Sequence, residues 1–227
     1  MFYLAIAIIM LLLILGPQFW VTRIMAHYNR ASEKNFPGNG SELARHLLDR
    51  FELHHVTVEV TELGDHYDPV SQSVRLSPDK FTGRTLTAIT TAAHEVGHAI
   101  QHAMNDPLMR WRTRLVGFAA TSQKLGSFLL FMAPFLSLVT RAPSAGLISG
   151  LAAFLIMGMN VVVQLVTLPV ELDASYKKAL PLLKSGYLTP EQYKGAERIL
   201  RAAAFTYLSA SLTGLLNFWR WMRIVRR

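Results

Sequence analysis

Three stretches without a charged side chain limit the folds open to this chain: residues 1–22, 125–140 and 142–170. A helix needs about 20 apolar residues to cross the hydrocarbon core of a bilayer. The first stretch has that length. The second reaches it once extended back to about residue 116, which obliges Lys124 to snorkel or to face protein. The third exceeds it, so its end tilts or projects. A fourth apolar stretch, 202–219, is just long enough, and its Thr, Ser and Asn content makes it the weakest of the four. Charged residues make up 17% of the 227, where soluble domains run near a quarter. The expectation is therefore a predominantly α, multi-span helical membrane protein. Residues 18–20, Gln-Phe-Trp, suit signal peptidase poorly, so the first run reads as an uncleaved anchor with Trp20 at the interface.

The polar region after this anchor is the part that resembles a soluble domain. Residues 40–49 have helical periodicity, with Ser41 as the expected N-cap. Residues 56–60 and 73–76 read as short strands, the second following a turn at Asp68-Pro69. Residues 82–104 then form a long helix, stopped by Asn105-Asp106-Pro107. Thr189-Pro190-Glu191 opens another helix near the end of the chain. There are no cysteines, which excludes disulfides, thiolate metal ligands and a cysteine nucleophile. The net charge is +8, but the basic residues sit beside apolar runs and no nucleic-acid-binding motif is present. Anionic lipid headgroups are the expected partner, not nucleic acid.

Within the helix at 82–104 stands His94-Glu95-Val96-Gly97-His98. Positions i and i+4 of an α-helix are about 6 Å apart along the axis and about 40° apart around it. Two imidazoles so placed reach one Zn²⁺ at roughly 2.0–2.1 Å. Glu95 starts from the neighbouring position and suits a general base toward a metal-activated water. The bare pattern arises by chance, and the bland reading is two surface histidines and a solvated Glu. Its surroundings argue otherwise: the other positions from Ala92 to Ile100 are small or apolar and uncharged, as a helix inside a protein core requires.

A catalytic zinc needs a third protein ligand and an open position for water. Glu171 stands where the third apolar run meets polar sequence, and a carboxylate there is costly unless paired or metal-bound. The other reading is an ordinary acidic residue at a helix start after Pro169. The small residues Ala174 and Ser175 would let this segment approach the His94–His98 helix closely. Asp173 is the rival ligand and fits better as a group that orients an imidazole. His102 repeats the i+4 step, but the helix has turned about 80° from His94 by then, so it belongs beside the site or on the surface. Gln101 is expected to pack or hydrogen-bond nearby. His66 and Tyr67, in a polar turn, are candidate donors to an oxyanion or solvated turn residues. The strand near Val74 is a place where an extended substrate could pair.

The segments Thr91–His102, Asp65–Pro69 with Val74–Pro78, and Leu168–Ser175 resemble the bacterial YugP-type membrane zinc metallopeptidases, and the likeness extends to the order of apolar runs. More remotely the chain resembles HtpX-type proteases of the gluzincin class, whose third ligand lies in Glu-x-x-Ala-Asp. Glu171 to Ala174 fits that pattern and Ser175 departs from it, which puts the partner of a ligand imidazole in doubt; Asp173 is a substitute. The resemblance implies an integral membrane endopeptidase with its site facing the cytoplasm.

These readings give five parts. Residues 1–23 are the anchor and 24–115 a small α+β, zincin-like catalytic region. Residues 116–170 are two membrane helices, 171–201 a polar segment with the third ligand, and 202–227 a spanning or interfacial helix with a basic tail. His94, His98 and Glu171 would hold Zn²⁺, with Glu95 as base and protein or peptide substrates, membrane proteins foremost. Arg23, Arg30, Arg110, Arg112, Arg114, Lys177, Lys178, Arg198 and Arg201 lie on one side of the expected spans and Arg141 on the other, which favours a cytoplasmic catalytic region in a multi-pass protein of the cell membrane. The C-terminal arginines disagree if 202–219 crosses. Two rivals stand. A site-2-type intramembrane protease takes its third ligand from an Asp-Gly pair, and this sequence has none. A non-catalytic zinc-containing adaptor has no use for Glu95.

Overall fold

The computed structural model describes residues 2–30 and 36–225. It is predominantly α-helical with one small mixed sheet. The helices are α1 (Phe2–Tyr28), α2 (Gly40–Arg50), α3 (Pro78–Phe81), α4 (Leu86–Ala103), α5 (Pro107–Thr140), α6 (Pro143–Leu172), α7 (Leu180–Lys184) and α8 (Pro190–Val225). The strands are β1 (Thr57–Val60), β2 (His66–Asp68) and β3 (Ser73–Leu76), and a π-helical segment, Asp173–Ala179, follows α6. Two compact units divide the chain. One comprises Leu15–Arg110 and Pro169–Thr206; the other takes in Trp111–Leu168 with the stretches before Leu15 and after Thr206.

The first unit is built around α4. Fifteen of its 18 residues are buried, as expected of a helix covered on all sides. It starts at Leu86, later than the expected residue 82, because Thr85 is the N-cap: its backbone is extended and its hydroxyl accepts from Ala88 N at 3.2 Å. The short α3 occupies part of the sequence before it. The helix ends before Asn105, whose φ of 52° is the left-handed turn that Asn tolerates. Pro107 then opens α5, with Asp106 Oδ1 accepting from Leu108 N at 2.8 Å.

Helix α2 begins as expected but is capped by Asn39, not Ser41. The Asn39 side chain accepts from Glu42 N at 2.9 Å, and Glu42 Oε2 accepts from Asn39 N at 2.8 Å, a complete capping box. Ser41 instead donates its hydroxyl hydrogen to Asn39 Oδ1. The inner side of α2 buries Leu43, Ala44, Leu47 and Leu48, which join Val56, Val74, Leu76 and Val96 in one core.

The sheet order is β1-β3-β2, with β1 parallel and β2 antiparallel to β3. Successive strand residues point to opposite faces. Val74 and Leu76 are buried, while Arg75 turns to the outer face and bridges Glu59 and Asp68 on the flanking strands at 3.2 and 3.0 Å. Two expectations are corrected here. His66 and Tyr67 lie on a strand and not in a turn. The strand at Val74 is the central one, paired on both sides, so it has no edge to offer a substrate; the outer edges belong to β1 and β2.

The end of α1 belongs to this unit too. Thr85 Oγ1 donates to Asn29 Oδ1 at 2.7 Å and Thr87 Oγ1 to Met25 O at 3.0 Å. A Cβ placed on Gly195 of α8 would lie 3.0 Å from the Tyr28 ring, so α8 passes close to α1 at that point.

The second unit contains the antiparallel hairpin of α5 and α6, joined at Arg141 with φ 53°. The two helices approach through small residues. A Cβ on Gly146 would collide with Ser137 Oγ and lie 2.8 Å from Ala133 O, and Ser149 Oγ donates to Leu129 O at 2.9 Å. Close approach of this kind is how helices associate where lipid gives no hydrophobic drive. Among the described residues one helix, Pro107–Thr140, is long and apolar enough to cross a membrane. Phe131, Leu138 and Val139 on it are exposed.

Candidate metal centre

Helix α4 presents His94 and His98 one turn apart, their ring centroids separated by 4.8 Å. Glu171, at the end of α6, reaches both. Its Oε2 lies 3.2 Å from His94 Nε2 and 3.2 Å from His98 Nε2. Glu171 and His98 are buried, and the His94 side chain retains 12% of its exposure, so the cluster opens on the His94 side. Burial pushes the Glu171 carboxyl up, but the two imidazoles, His98 foremost, outweigh it and hold it well below the usual range.

The backbone around Glu171 explains how one segment reaches α4 so often. Pro169 lies inside α6 and cannot donate a helical hydrogen bond. The π-helical turn begins just after Glu171, at Asp173. In a plain α-helix residues i and i+2 point roughly 200° apart, yet here Glu171, Asp173 and Ser175 all bond to α4. Such widened turns concentrate at functional sites. The other half of the close approach is Gly97, between the two histidines: a Cβ there would lie 2.8 Å from Ala174 O. Gly97→Ala is therefore expected to destabilise the protein by about 1–3 kcal/mol, the usual cost of overpacking, and to weaken metal binding by parting α4 from the π-helical turn. Thermal unfolding and zinc titration check this; unchanged values in both would show that the approach tolerates a methyl group.

Outer contacts orient both rings. Ser175 Oγ is 3.1 Å from His94 Nδ1, and Gln101 Oε1 is 2.9 Å from His98 Nδ1. Gln101 Nε2 donates to Asp173 Oδ2 at 2.8 Å and to Val170 O at 3.0 Å. Asp173 thus meets Gln101 and not an imidazole. Burial works against its charge, but the bonds from Gln101 and Lys178 hold its carboxyl below the usual range. Ser175 is small enough for the approach and also supplies the contact to His94. The spacing of Gln101 three residues after His98, which puts the two on one helix face, is the sequence signal for its role.

The remaining candidates divide. Glu95 follows His94 on α4 and is buried at 6% exposure. Tyr67 points inward, and its hydroxyl lies 2.8 Å from His102 Nδ1. Burial pushes the Tyr67 hydroxyl up to about 12, so it keeps its proton across the physiological range. His66, on the opposite face of β2, donates through Nδ1 to Gly64 O at 2.8 Å within its own loop.

The donor set fits zinc. Two ligand atoms at 2.0–2.1 Å from a tetrahedral ion stand roughly 3.3 Å apart, close to the 3.2 Å seen from Glu171 Oε2 to each imidazole. The three donor atoms lie within 4.8 Å of one another. Two imidazole nitrogens and a carboxylate converging in a protein interior define the class: a His-His-Glu metal-binding protein with the ligand pattern of zinc peptidases. The comparisons with known proteins agree. A family model described as "Putative neutral zinc metallopeptidase" matches residues 3–226, and the chain belongs to that family. It is 34% identical over 218 residues, 92% of each chain, to "Putative membrane protease YugP" of Bacillus subtilis (strain 168). No solved structure matches the chain.

Proposed function

We propose that the protein is an integral membrane zinc endopeptidase in which His94, His98 and Glu171 hold the metal and Glu95 is the general base. The observation that carries this reading is the convergence of both Nε2 atoms on a single carboxylate oxygen at 3.2 Å. Two imidazole nitrogens and a carboxylate oxygen within 4.8 Å of one another in a protein interior are the donor set of a zinc site. Zinc in that place would supply a Lewis acid that polarises a carbonyl and lowers the pKa of water from about 15.7 toward 7.

The chain's own residues do the rest. Gln101 and Ser175 keep the two rings turned with Nε2 toward Glu171. Glu95, next to His94, takes a proton from the attacking water onto its carboxylate and returns it to the leaving amine. The burial of His98 and Glu171 keeps bulk water from one side, and the more open His94 side admits the substrate. A base beside the ligands favours catalysis over a purely structural zinc. Proteins or peptides are the substrate class, membrane proteins foremost. Comparing the membrane proteomes of cells carrying wild type and Glu95→Gln tests this: substrates accumulate in the variant, and indistinguishable proteomes count against a protease.

The name of the related protein and the apolar helix Pro107–Thr140 support membrane association. The fuller reading is a multi-pass protein with its zinc site in the cytoplasm, supported by the excess of Lys and Arg on one side of the apolar runs. The chain has no cysteine, so introduced ones are clean probes. In intact cells a cysteine at Ser41 is expected to resist a membrane-impermeant thiol reagent and one at Ser144 to react. Labelling at 41 before lysis would invert the orientation.

A further inference from the structure

We propose that Gln101, backed by Asp173, is the positioning residue that fixes His98 as a metal ligand; this rests on the reading of the triad as a zinc site. Gln101 is 1% exposed, and its neighbours decide which way its amide faces. Val170 O and Asp173 Oδ2 both accept, at 3.0 and 2.8 Å, so the end facing them is the NH₂ group, which has two hydrogens to give. The carbonyl end then faces His98 Nδ1 at 2.9 Å. Nδ1 must therefore donate; in the neutral ring the single proton sits there, and Nε2, the nitrogen turned toward Glu171, is the one left to bind a metal. A metal needs that tautomer.

Ligand imidazoles commonly donate directly to a carboxylate. Here the carboxylate acts one amide away. Asp173 is itself anchored by Lys178 at 3.1 Å and by Lys177 at 3.4 Å. The chain Lys178–Asp173–Gln101–His98 runs from half-buried surface into the core. The outer contact seen at His94 is of another kind. Its Nδ1 meets the Ser175 hydroxyl at 3.1 Å, a group able to donate or accept, and its ring is more exposed than that of His98. The two rings thus differ in their outer contacts: an amide whose direction is fixed at His98, and a hydroxyl that can donate or accept at His94.

Zinc affinity of the full-length protein in detergent, measured by chelator competition, tests this, together with the visible absorption of the Co²⁺-loaded protein. Gln101→Leu is expected to weaken zinc by about 10–100-fold, and Asp173→Ala by about 3–10-fold. Ser175→Ala is expected to cost less than about 3-fold, because water can replace its hydroxyl at the more open ring. Asp173→Asn restores most of the loss, since its amide oxygen still accepts from Gln101. The Co²⁺ spectrum shifts in Gln101→Leu, as a reoriented ring requires. Should Gln101→Leu fail to fold, the Ala and Asn variants at the half-buried Asp173 carry the same test. Wild-type affinity in Gln101→Leu, or in Asp173→Ala, overturns the positioning role and leaves the zinc reading standing. A wild-type chain that takes up no zinc removes both.

Discussion

Glu95→Gln should leave about one zinc per chain and reduce proteolysis by several orders of magnitude. A positioned general base contributes roughly 10²–10⁴-fold, and in the proposed mechanism the same group also serves the metal-assisted attack. The substitution keeps the side chain's size in a place that is only 6% exposed, so the fold has little reason to respond. The variant can still bind substrate, which suits it to capture experiments. Metal analysis and turnover on one preparation decide the matter. Loss of zinc would make Glu95 a ligand or a structural residue, and retention of most activity would remove it from the chemistry.

The second large effect is expected at the third ligand. Glu171→Ala removes the oxygen that both imidazoles face at 3.2 Å. Zinc affinity should fall by more than the roughly 10–100-fold cost of losing an outer hydrogen-bond partner. His98→Ala should do the same. The melting temperature of the metal-free protein separates loss of a ligand from loss of the fold. Full zinc retention by a folded Glu171→Ala would take the residue out of the ligand set.

What could be read in the sequence is what depends on local order. The i, i+4 histidines, the apolar surround of α4 and the strand at Ser73–Leu76 are period signals, and each is expressed within a few residues. Strand β2 is not legible because it has three residues, His66–Asp68, flanked by turn formers. Its strand character comes from pairing with β3, a non-local event. The cap of α2 was legible in principle: Asn39 stands three residues before Glu42, the capping-box spacing, and the nearby Ser41 competes for the same reading. Glu171 could be proposed from the cost of a carboxylate at the edge of an apolar run. What Asp173 and Ser175 touch could not, because that depends on a π-helical turn with no reliable sequence mark and on contacts to residues more than seventy positions away.

Anchors that hold an enzyme at a membrane are commonly regarded as exchangeable parts, replaceable by any helix of equal length and greasiness. In the membrane-bound reading proposed above α1 is such an anchor, and its last turns are specific to this chain. The Met25 carbonyl takes the Thr87 hydroxyl, Asn29 takes that of Thr85, and the Tyr28 ring fills the space beside Gly195. Thr87 is seven residues from His94 along α4, roughly 10 Å of helix. A graft that swapped in a foreign anchor up to residue 30 would strip partners from the first turn of the helix that carries both histidines. Modularity ends partway down α1, and chimeras of this family should be joined above Val21 if the metal site is to be inherited whole.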